Sequence, residues 1–443
     1  MERTEEHTRR RSIDRLSDLP DAILCHILSF LPTQKSISTS VLARRWRYLW
    51  AYVPTLDFRH ENQEIIERVM ILHKVQTIST FRLFHYSDCS NYRLETWITF
   101  AIARNVQKLQ LLFHLTKSAL PRCLFTCKTL VDLRLNYFGI IPMSCPVCLP
   151  RLKILHLICV QYEADEALPR LLASCPVLEE LEIESCMDSF SSKISSPTIK
   201  RLTLSFPAPD RSNNCYTLEI NTPALVYLRL VAGVHDHIKS GALTSLIEAD
   251  IHFYKVHKQR GFDRFRYVPE FINRLCSVKF LKLNLAYYKK TVDSKFSLWT
   301  TSNFRNLTKL ELTAHCRFLS EFLANADNLE ILIFQEFYKE GGWIEPPQRM
   351  ATCILSHLRV IKLVNVKGKT QDFEIIRYLL KNAKLLERIE ISHPVYRDTK
   401  KRARLVGRIG LFERGSKAYE IAFVPINRDG AASSQILKYR RLN

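Results

Sequence analysis

Two kinds of hydrophobic spacing divide the chain. The first lies in LPDAILCHILSFLP, Leu19–Pro32, where Ile23, Leu24, Ile27, Leu28, Phe30 and Leu31 recur at helical intervals. Pro20 suits a first helical turn, where its missing N–H costs nothing. Asp21 places negative charge at the positive end of the helix dipole, and Pro32 ends the run. At about 100° per residue these apolar positions cover an arc of roughly 160°, against the ~100° that packing on one core requires. The next stretch, TQKSISTSVLARRWRYLWAYVP, repeats Ile37, Val41, Leu42, Trp46, Leu49 and Trp50 at helical spacing, and Pro54 closes it. A unit of about 45 residues is too small to enclose two tryptophans and a two-faced helix by itself. The surplus apolar face must therefore pack on the rest of the chain or on a partner, and helical geometry alone leaves both open.

The second spacing is a template, Φ-x-x-Φ-x-Φ, where Φ is apolar. It recurs as LVDLRL from Leu130, LKILHL from Leu152, LEELEI from Leu178, IKRLTL from Ile199, LVYLRL from Leu225, VKFLKL from Val278, LTKLEL from Leu307 and LEILIF from Leu329. The interval is roughly 21 to 32 residues, near the range of leucine-rich repeats. Each copy predicts a short strand whose last two Φ side chains point inward while the residue between them points out. Stacked copies share one apolar core and present a concave parallel sheet. Segments such as ADEALPRLLASCP predict outer helices. The outward probes of the concave face are Arg134, His156, Glu182, Thr203, Arg229, Lys282, Glu311, Ile333, Lys362 and Glu390. Of these, Arg134, His156, Glu182, Arg229, Lys282 and Glu311 are the candidate substrate contacts.

Further on, LRVIKL from Leu358 and LERIEI from Leu386 keep the template. Between the strands Phe373, Ile376, Leu379, Leu380 and Leu386 mark an amphipathic helix. The region is expected to cap the stack, whose terminal repeat would otherwise bare its apolar face.

Charge and composition narrow the function classes. The net charge is +21, with 47% hydrophobic and 25% charged residues. A phosphate-tracking groove should carry one sign interleaved with aromatics. The outward probes are mixed in sign, which disfavours nucleic acid and favours protein recognition. No run reaches the ~18–20 apolar residues of a membrane helix, so no membrane partner is expected. The stretch MERTEEHTRRRSIDR is charged throughout and lacks the apolar core of a secretory signal. The 13 cysteines form no disulfide framework and read as mostly buried thiols of a reducing compartment. Cys145-Pro-Val-Cys148 has no second ligand pair at zinc-site spacing, and His235-Asp236-His237 reads as a solvated turn. Arg9-Arg10-Arg11 and Lys400-Lys401-Arg402-Ala403-Arg404 are basic clusters; the second has the look of a nuclear-import signal but reads first as a solvated loop. No nucleophile–base pair, metal motif or phosphate loop stands out, so no intrinsic catalysis, metal or cofactor is expected.

Leu19-Pro20, Ile27-Leu28, Leu31-Pro32, Val41 and Arg44-Arg45-Trp46 together resemble an F-box, with Ala43 a minor departure from the family's Cys or Ser. The resemblance implies docking on the Skp-type adaptor of an SCF ubiquitin ligase, and through it an indirect link to cullin and RING subunits. The implied adaptor-binding residues are Leu19, Pro20, Ile23, Leu24, Ile27, Leu28, Leu31, Pro32, Val41, Arg45 and Trp46. On this reading Ile23, Ile27 and Leu28 should form an exposed apolar patch. The repeats resemble leucine-rich repeats that mostly lack the usual Asn or Cys past the strand, Cys186 being the clearest instance. Trp343, Pro346-Pro347, His357-Leu358, Gly368 and Tyr378-Leu379-Leu380-Lys381-Asn382-Ala383 resemble an FBD domain. The combination is similar to the plant F-box/FBD/LRR-repeat family.

The expected fold class is α/β: a helical F-box, then an irregular leucine-rich-repeat solenoid with a concave parallel sheet and outer helices, capped by an FBD domain. The expected divisions are a charged tail at 1–12, the F-box at 13–58, repeats at 59–340, the FBD domain at 341–425 and a tail at 426–443. The family implies a non-catalytic substrate receptor acting inside the cell, in nucleus or cytoplasm, on an unidentified protein. The alternative is an F-box scaffold without a degradation role, binding nucleic acid or an anionic ligand through its basic surface. Hormone receptors of the wider class hold an inositol phosphate, but nothing in this sequence matches their residues.

Overall fold

The computed structural model describes residues 16, 18–85 (with the backbone alone at 85), 90–184, 191–206, 217–233, 237–254, 267–286, 303–336, 351–394, 399–416 and 420–426. Arg9-Arg10-Arg11, Cys186, His235-Asp236, Trp343 and Pro346-Pro347 lie outside the described residues. The chain divides into two compact units, 1–178 and 179–443.

The N-terminal unit begins with α1 (Asp21–Leu28) and α2 (Thr33–Ser38), followed by tight 3-10 turns over Thr39–Val41 and Arg44–Tyr52. Pro20 and Pro32 stand immediately before the two helices, as fixed-φ residues do. Leu24, Leu28, Trp46, Leu49 and Val53 form a small core, with Leu19, Cys25 and Ala43 packed at its edge. The second run is therefore not one continuous helix. Breaking it into tight turns folds Trp46 and Leu49 inward and leaves Val41 and Leu42 exposed.

Strand β1 (Thr55–Arg59) follows directly, inside the range expected for the F-box. It is the first of a parallel run with β2 (Thr80–His85), β3 (Lys108–Ala119), β4 (Asp132–Ile141) and β5 (Ile154–Ile158); the short β6 (Gln161–Tyr162) pairs with β4. Helices α3 (Gln63–Leu72), α4 (Asn91–Ala103), α5 (Arg122–Phe125) and α6 (Ala167–Ala173) are interleaved with the strands. Leu94, Trp97, Ile98 and Ala101 of α4 are buried, as are Phe81, Leu83, Leu109 and Leu111 of the strands. The Thr33 hydroxyl accepts from the Asp57 N–H at 2.7 Å, which ties α2 to the first strand.

The C-terminal unit carries a longer parallel sheet. Its strands are β7 (Glu180–Glu184), β9 (Arg201–Ser205), β11 (Tyr227–Gly233), β13 (Glu248–Tyr254), β14 (Phe280–Asn284), β15 (Lys309–Ala314), β16 (Ile331–Glu336), β17 (Val360–Val364), β18 (Arg388–Pro394) and β19 (Glu420–Ile426), in that spatial order. A second parallel sheet is made of β8 (Ser191–Ser195), β10 (Thr217–Asn221) and β12 (His237–Ser240). These strands stand where outer helices were expected. Five- and four-residue segments such as TLEIN and HIKS are too short to repeat an apolar face at helical spacing. Alternation lets them bury Ile194, Leu218, Ile220 and Ile238 instead. Helices return as α7 (Tyr267–Asn273), α8 (Cys316–Asn325), α9 (Thr352–Ser356), α10 (Thr370–Asn382) and α11 (Thr399–Gly410).

The template residues behave alike in every copy. The first Φ, from Leu130 to Leu386, is buried just ahead of its strand. The turn carbonyl of one repeat accepts from two consecutive N–H groups of the next. Glu179 takes Lys200 and Arg201, Lys200 takes Val226 and Tyr227, and Glu330 takes Arg359 and Val360. The repeats are thus equivalent in backbone as well as in pattern.

The cluster Lys400-Lys401-Arg402-Ala403-Arg404 lies on α11, which corrects the expectation of a loop. Leu405 and Ile409 supply that helix with a buried face, and Arg408 stacks over the Phe373 ring at 4.0 Å. His237 opens β12 rather than sitting in a turn. Among the described cysteines, Cys127, Cys145, Cys175, Cys316 and Cys353 are buried thiols, while Cys148 and Cys276 are exposed. Burial pushes Cys175 and Cys353 up to about 12. Cys159 departs from the expected pattern and is disulfide-bonded.

Gly415 lies in the bend that follows α11. Its N–H donates to the Leu380 carbonyl at 2.8 Å, and an added Cβ would clash with the Lys381 carbonyl oxygen. Gly415→Ala is expected to destabilise the C-terminal unit by about 1–3 kcal/mol, the usual cost of overpacking. A lowered urea midpoint for that unit checks this.

Candidate functional site

Helix α1 is divided lengthwise. Leu24 and Leu28, at 0% and 1% exposure, face the small core. Ile23, Ile27 and Phe30 are 46%, 36% and 75% exposed, and Leu31 joins them on the same side. Spacings of four and three or four residues put these side chains in one stripe. Val41 and Leu42 are exposed apolar residues of the following turn. His26 meets the Phe30 ring edge-on at 5.0 Å.

Among the residues implied for adaptor docking, Pro20, Ile23, Ile27, Leu31 and Val41 are therefore at the surface, and Leu19 and Pro32 are half-buried. Leu24, Leu28 and Trp46 are not at the surface, and the expected exposure of Leu28 is corrected. Trp46 gives the inward half of the helix an intramolecular partner. Arg45 is exposed but engaged, with its Nε and Nη2 donating to Asp21 Oδ1 at 2.9 and 2.7 Å. That pair fixes the start of α1 against the second turn. At such exposure it contributes at most about 1 kcal/mol.

The outward probes form one row in each unit. In the N-terminal unit the register places Asp57, Arg82, Gln110, Arg134 and His156 side by side. In the C-terminal unit the row runs Glu182, Thr203, Arg229, Asp250, Lys282, Glu311, Ile333, Lys362, Glu390 and Ala422. Cross-strand ion pairs link Arg229 to Asp250 at 3.9 Å, Lys282 to Glu311 at 3.3 Å and Lys362 to Glu390 at 2.7 Å. Neighbouring charges thus offset one another along this sheet. His156 lies in the row but is only 8% exposed, which corrects its reading as a presented contact. A short ring can lie down on the sheet, whereas a long cationic side chain keeps its head in water. Burial, together with Glu182, raises Glu184 in the next row, while Arg229 opposes the shift.

One buried histidine is a structural rather than a recognition group. His73 caps α3, and its Nε2–H donates to the Val53 carbonyl at 2.9 Å. Its Nδ1 is buried with no hydrogen-bond partner among the described residues. Burial lowers its pKa; the Val53 bond opposes this, and Arg104 adds to the lowering. The folded state therefore resists the proton that the unfolded chain accepts. Stability from this group is present above the ordinary histidine range and is lost as pH falls below about 6.5. His73→Gln should flatten that acid limb of the N-terminal unit's urea midpoint between neutral pH and about pH 5. An unchanged slope would exclude His73 as its source.

A small helical unit with an unmatched apolar stripe, followed by strands of one repeated template, defines an F-box protein with leucine-rich repeats. The F-box domain family matches residues 16–57 and the FBD family residues 345–391. The LRR repeats of "FBD-associated F-box protein At5g56370" match residues 94–285. Similar proteins of Arabidopsis thaliana include F-box/LRR-repeat protein At4g14096, 32% identical over 85% of this chain and 87% of the relative. F-box/FBD/LRR-repeat protein At4g00160 is 32% identical over 86% of each chain, and F-box/FBD/LRR-repeat protein At5g56420 is 28% identical over 93% of this chain and 99% of the relative. The chain belongs to the plant F-box/FBD/LRR-repeat family. Its F-box domain implies binding to a Skp-type adaptor, and F-box/LRR proteins are generally non-catalytic adaptors. Among the described residues no helix is long and apolar enough to cross a membrane.

Asp57, Arg82, Gln110 and Asp250 belong to the row but escape the sequence template as applied from Leu130. Val53-x-x-Leu56-x-Phe58, Ile78-x-x-Phe81-x-Leu83 and Val106-x-x-Leu109-x-Leu111 carry the same signal upstream. Leu246-x-x-Ala249-x-Ile251 carries it with alanine in a Φ position.

Proposed function

We propose that this chain is a non-catalytic substrate-recognition subunit of an SCF-type E3 ubiquitin ligase. The exposed stripe of Ile23, Ile27, Phe30 and Leu31 docks on the Skp-type adaptor. The adaptor brings the cullin and RING subunits, and the open face of the repeats holds a protein substrate. The chain then contributes proximity, raising the effective concentration of a substrate lysine near the charged ubiquitin carrier. It works inside the cell, in nucleus or cytoplasm, in five segments: tail 1–12, F-box 13–58, repeats 59–340, FBD 341–425 and tail 426–443. The carrying observation is the divided α1 helix, half in its own core and half apolar toward solvent.

The mosaic row of the C-terminal unit supports protein recognition over nucleic acid, because its cations already face carboxylates. Affinity capture of the full chain from plant cells under ligase inhibition tests the proposal. The adaptor should co-purify, together with proteins that accumulate only when the ligase is blocked. Capture without the adaptor contradicts the docking; adaptor without any stabilised protein favours a scaffold with no degradation role.

A further inference from the structure

The open face of the N-terminal unit holds a small polar cavity that adaptor docking does not use. Its volume is about 240 Å³, and its walls include Thr80, Arg82, Lys108, Gln110, Asp132 and Arg134. The register explains why these side chains converge. Thr80, Lys108 and Asp132 are neighbours in one row of β2, β3 and β4. Arg82, Gln110 and Arg134 are neighbours two residues further along, hence on the same face.

The hydrogen-bonding groups are out of balance. Arg134 donates to both Asp132 oxygens, at 2.9 and 3.2 Å, so that carboxylate is neutralised in place. Arg82 reaches Asp57 only at 3.6 Å, because Arg59 already holds the same carboxylate with bonds of 3.2 and 2.9 Å. Lys108 has no ion pair among the described residues, and the Gln110 amide has no hydrogen bond among them. The Lys108 ammonium and the Gln110 amide thus face the cavity without ion-pair or hydrogen-bond partners among the described residues, beside an Arg82 guanidinium that reaches its carboxylate only at 3.6 Å. The C-terminal unit differs, since its row sets Arg229, Lys282 and Lys362 beside carboxylates.

We infer that this cavity seats the side-chain carboxylate of an acidic segment on a captured protein. The inference rests on the reading of the repeats as the capture face. The cavity is smaller than the roughly 300–1,000 Å³ typical of small-molecule sites and suits a single side chain. A carboxylate presents the two acceptor oxygens that an arginine fork and a lysine recognise.

The test is fluorescence anisotropy of a labelled octaglutamate peptide titrated with the full chain. Octaglutamine serves as the uncharged comparison. Because the net charge of +21 attracts any polyanion, Lys108→Gln is compared with Lys384→Gln, an equal charge loss at an exposed site of the other unit. Lys108→Gln should weaken octaglutamate about tenfold and Lys384→Gln less than about twofold, as a directed contact differs from general attraction. Gln110→Glu should weaken it as well, without moving the urea midpoint. Equal losses at Lys108 and Lys384, or equal binding of octaglutamine, would overturn the inference. So would displacement of octaglutamate by inorganic phosphate at far lower concentration than by acetate. Adaptor capture by the same preparations reads the ligase proposal separately. Unchanged octaglutamate affinity in Lys108→Gln with capture intact overturns this inference alone.

Discussion

Ile27→Asp abolishes capture of the Skp-type adaptor while the repeats and the F-box core stay folded; Leu28→Asp, one residue on, unfolds the F-box itself. The two side chains are chemically close and adjacent in the chain, so the contrast follows from direction alone. Ile27 is 36% exposed on the apolar stripe, and Leu28 is packed against the cluster of Leu24, Trp46, Leu49 and Val53. An aspartate at position 27 keeps its charge in water in the free chain. In a docked complex it would be buried without a partner, a cost of several kcal/mol. A cost of two to three kcal/mol reduces binding by a factor of about 30 to 150. An aspartate at position 28 meets that cost within the fold, in a core too small to absorb it. Circular dichroism and hydrogen exchange should find Ile27→Asp native over residues 16–57 and Leu28→Asp unprotected there. Capture at full strength by Ile27→Asp would remove the stripe from the docking account.

Phe81→Ala should be the most damaging single truncation in the N-terminal repeats. Phe81 is fully buried in β2, and its ring meets Phe58 of β1 edge-to-face at 5.9 Å between centroids. Truncation removes both the burial and that aromatic contact and leaves a cavity between adjacent strands, for a loss of about 3–5 kcal/mol. Stacked repeats depend on their neighbours, so the loss should spread to β1 and β3 as a shared drop in hydrogen-exchange protection. Arg82→Ala, next in sequence, should cost less than about 1 kcal/mol, because Arg59 continues to hold Asp57. Comparable losses at both positions would contradict the assignment of inward and outward sides.

The strands were legible because one template serves them all. A Φ-x-x-Φ-x-Φ unit cannot bury its apolar side alone, so each copy repeats the same demand in sequence. Some copies were hidden: Ala249 weakens one, and Val53 with Leu56 and Phe58 lies where the helical unit ends. The three outer strands were hidden too, because a segment such as Thr217–Asn221 is short enough that only its neighbours decide its conformation.

The docking helix was half legible. Its wide arc announced two faces, but a helical wheel gives angles and not the identity of what covers them. The F-box resemblance implies an outward Leu28; the tight turn over Arg44–Tyr52 instead brings Trp46 into one core with it. The open-face row could be named from single strands. Its pairing could not, since Lys282–Glu311 and Lys362–Glu390 exist only once register is set.

The most direct measurement is calorimetric titration of the full chain with a purified Skp-type adaptor. The account predicts saturable one-to-one binding with a negative heat-capacity change, the mark of apolar burial, and its loss in Ile27→Asp but not in Lys108→Gln. Absence of binding by the folded wild-type chain, or equal binding by Ile27→Asp, would contradict it.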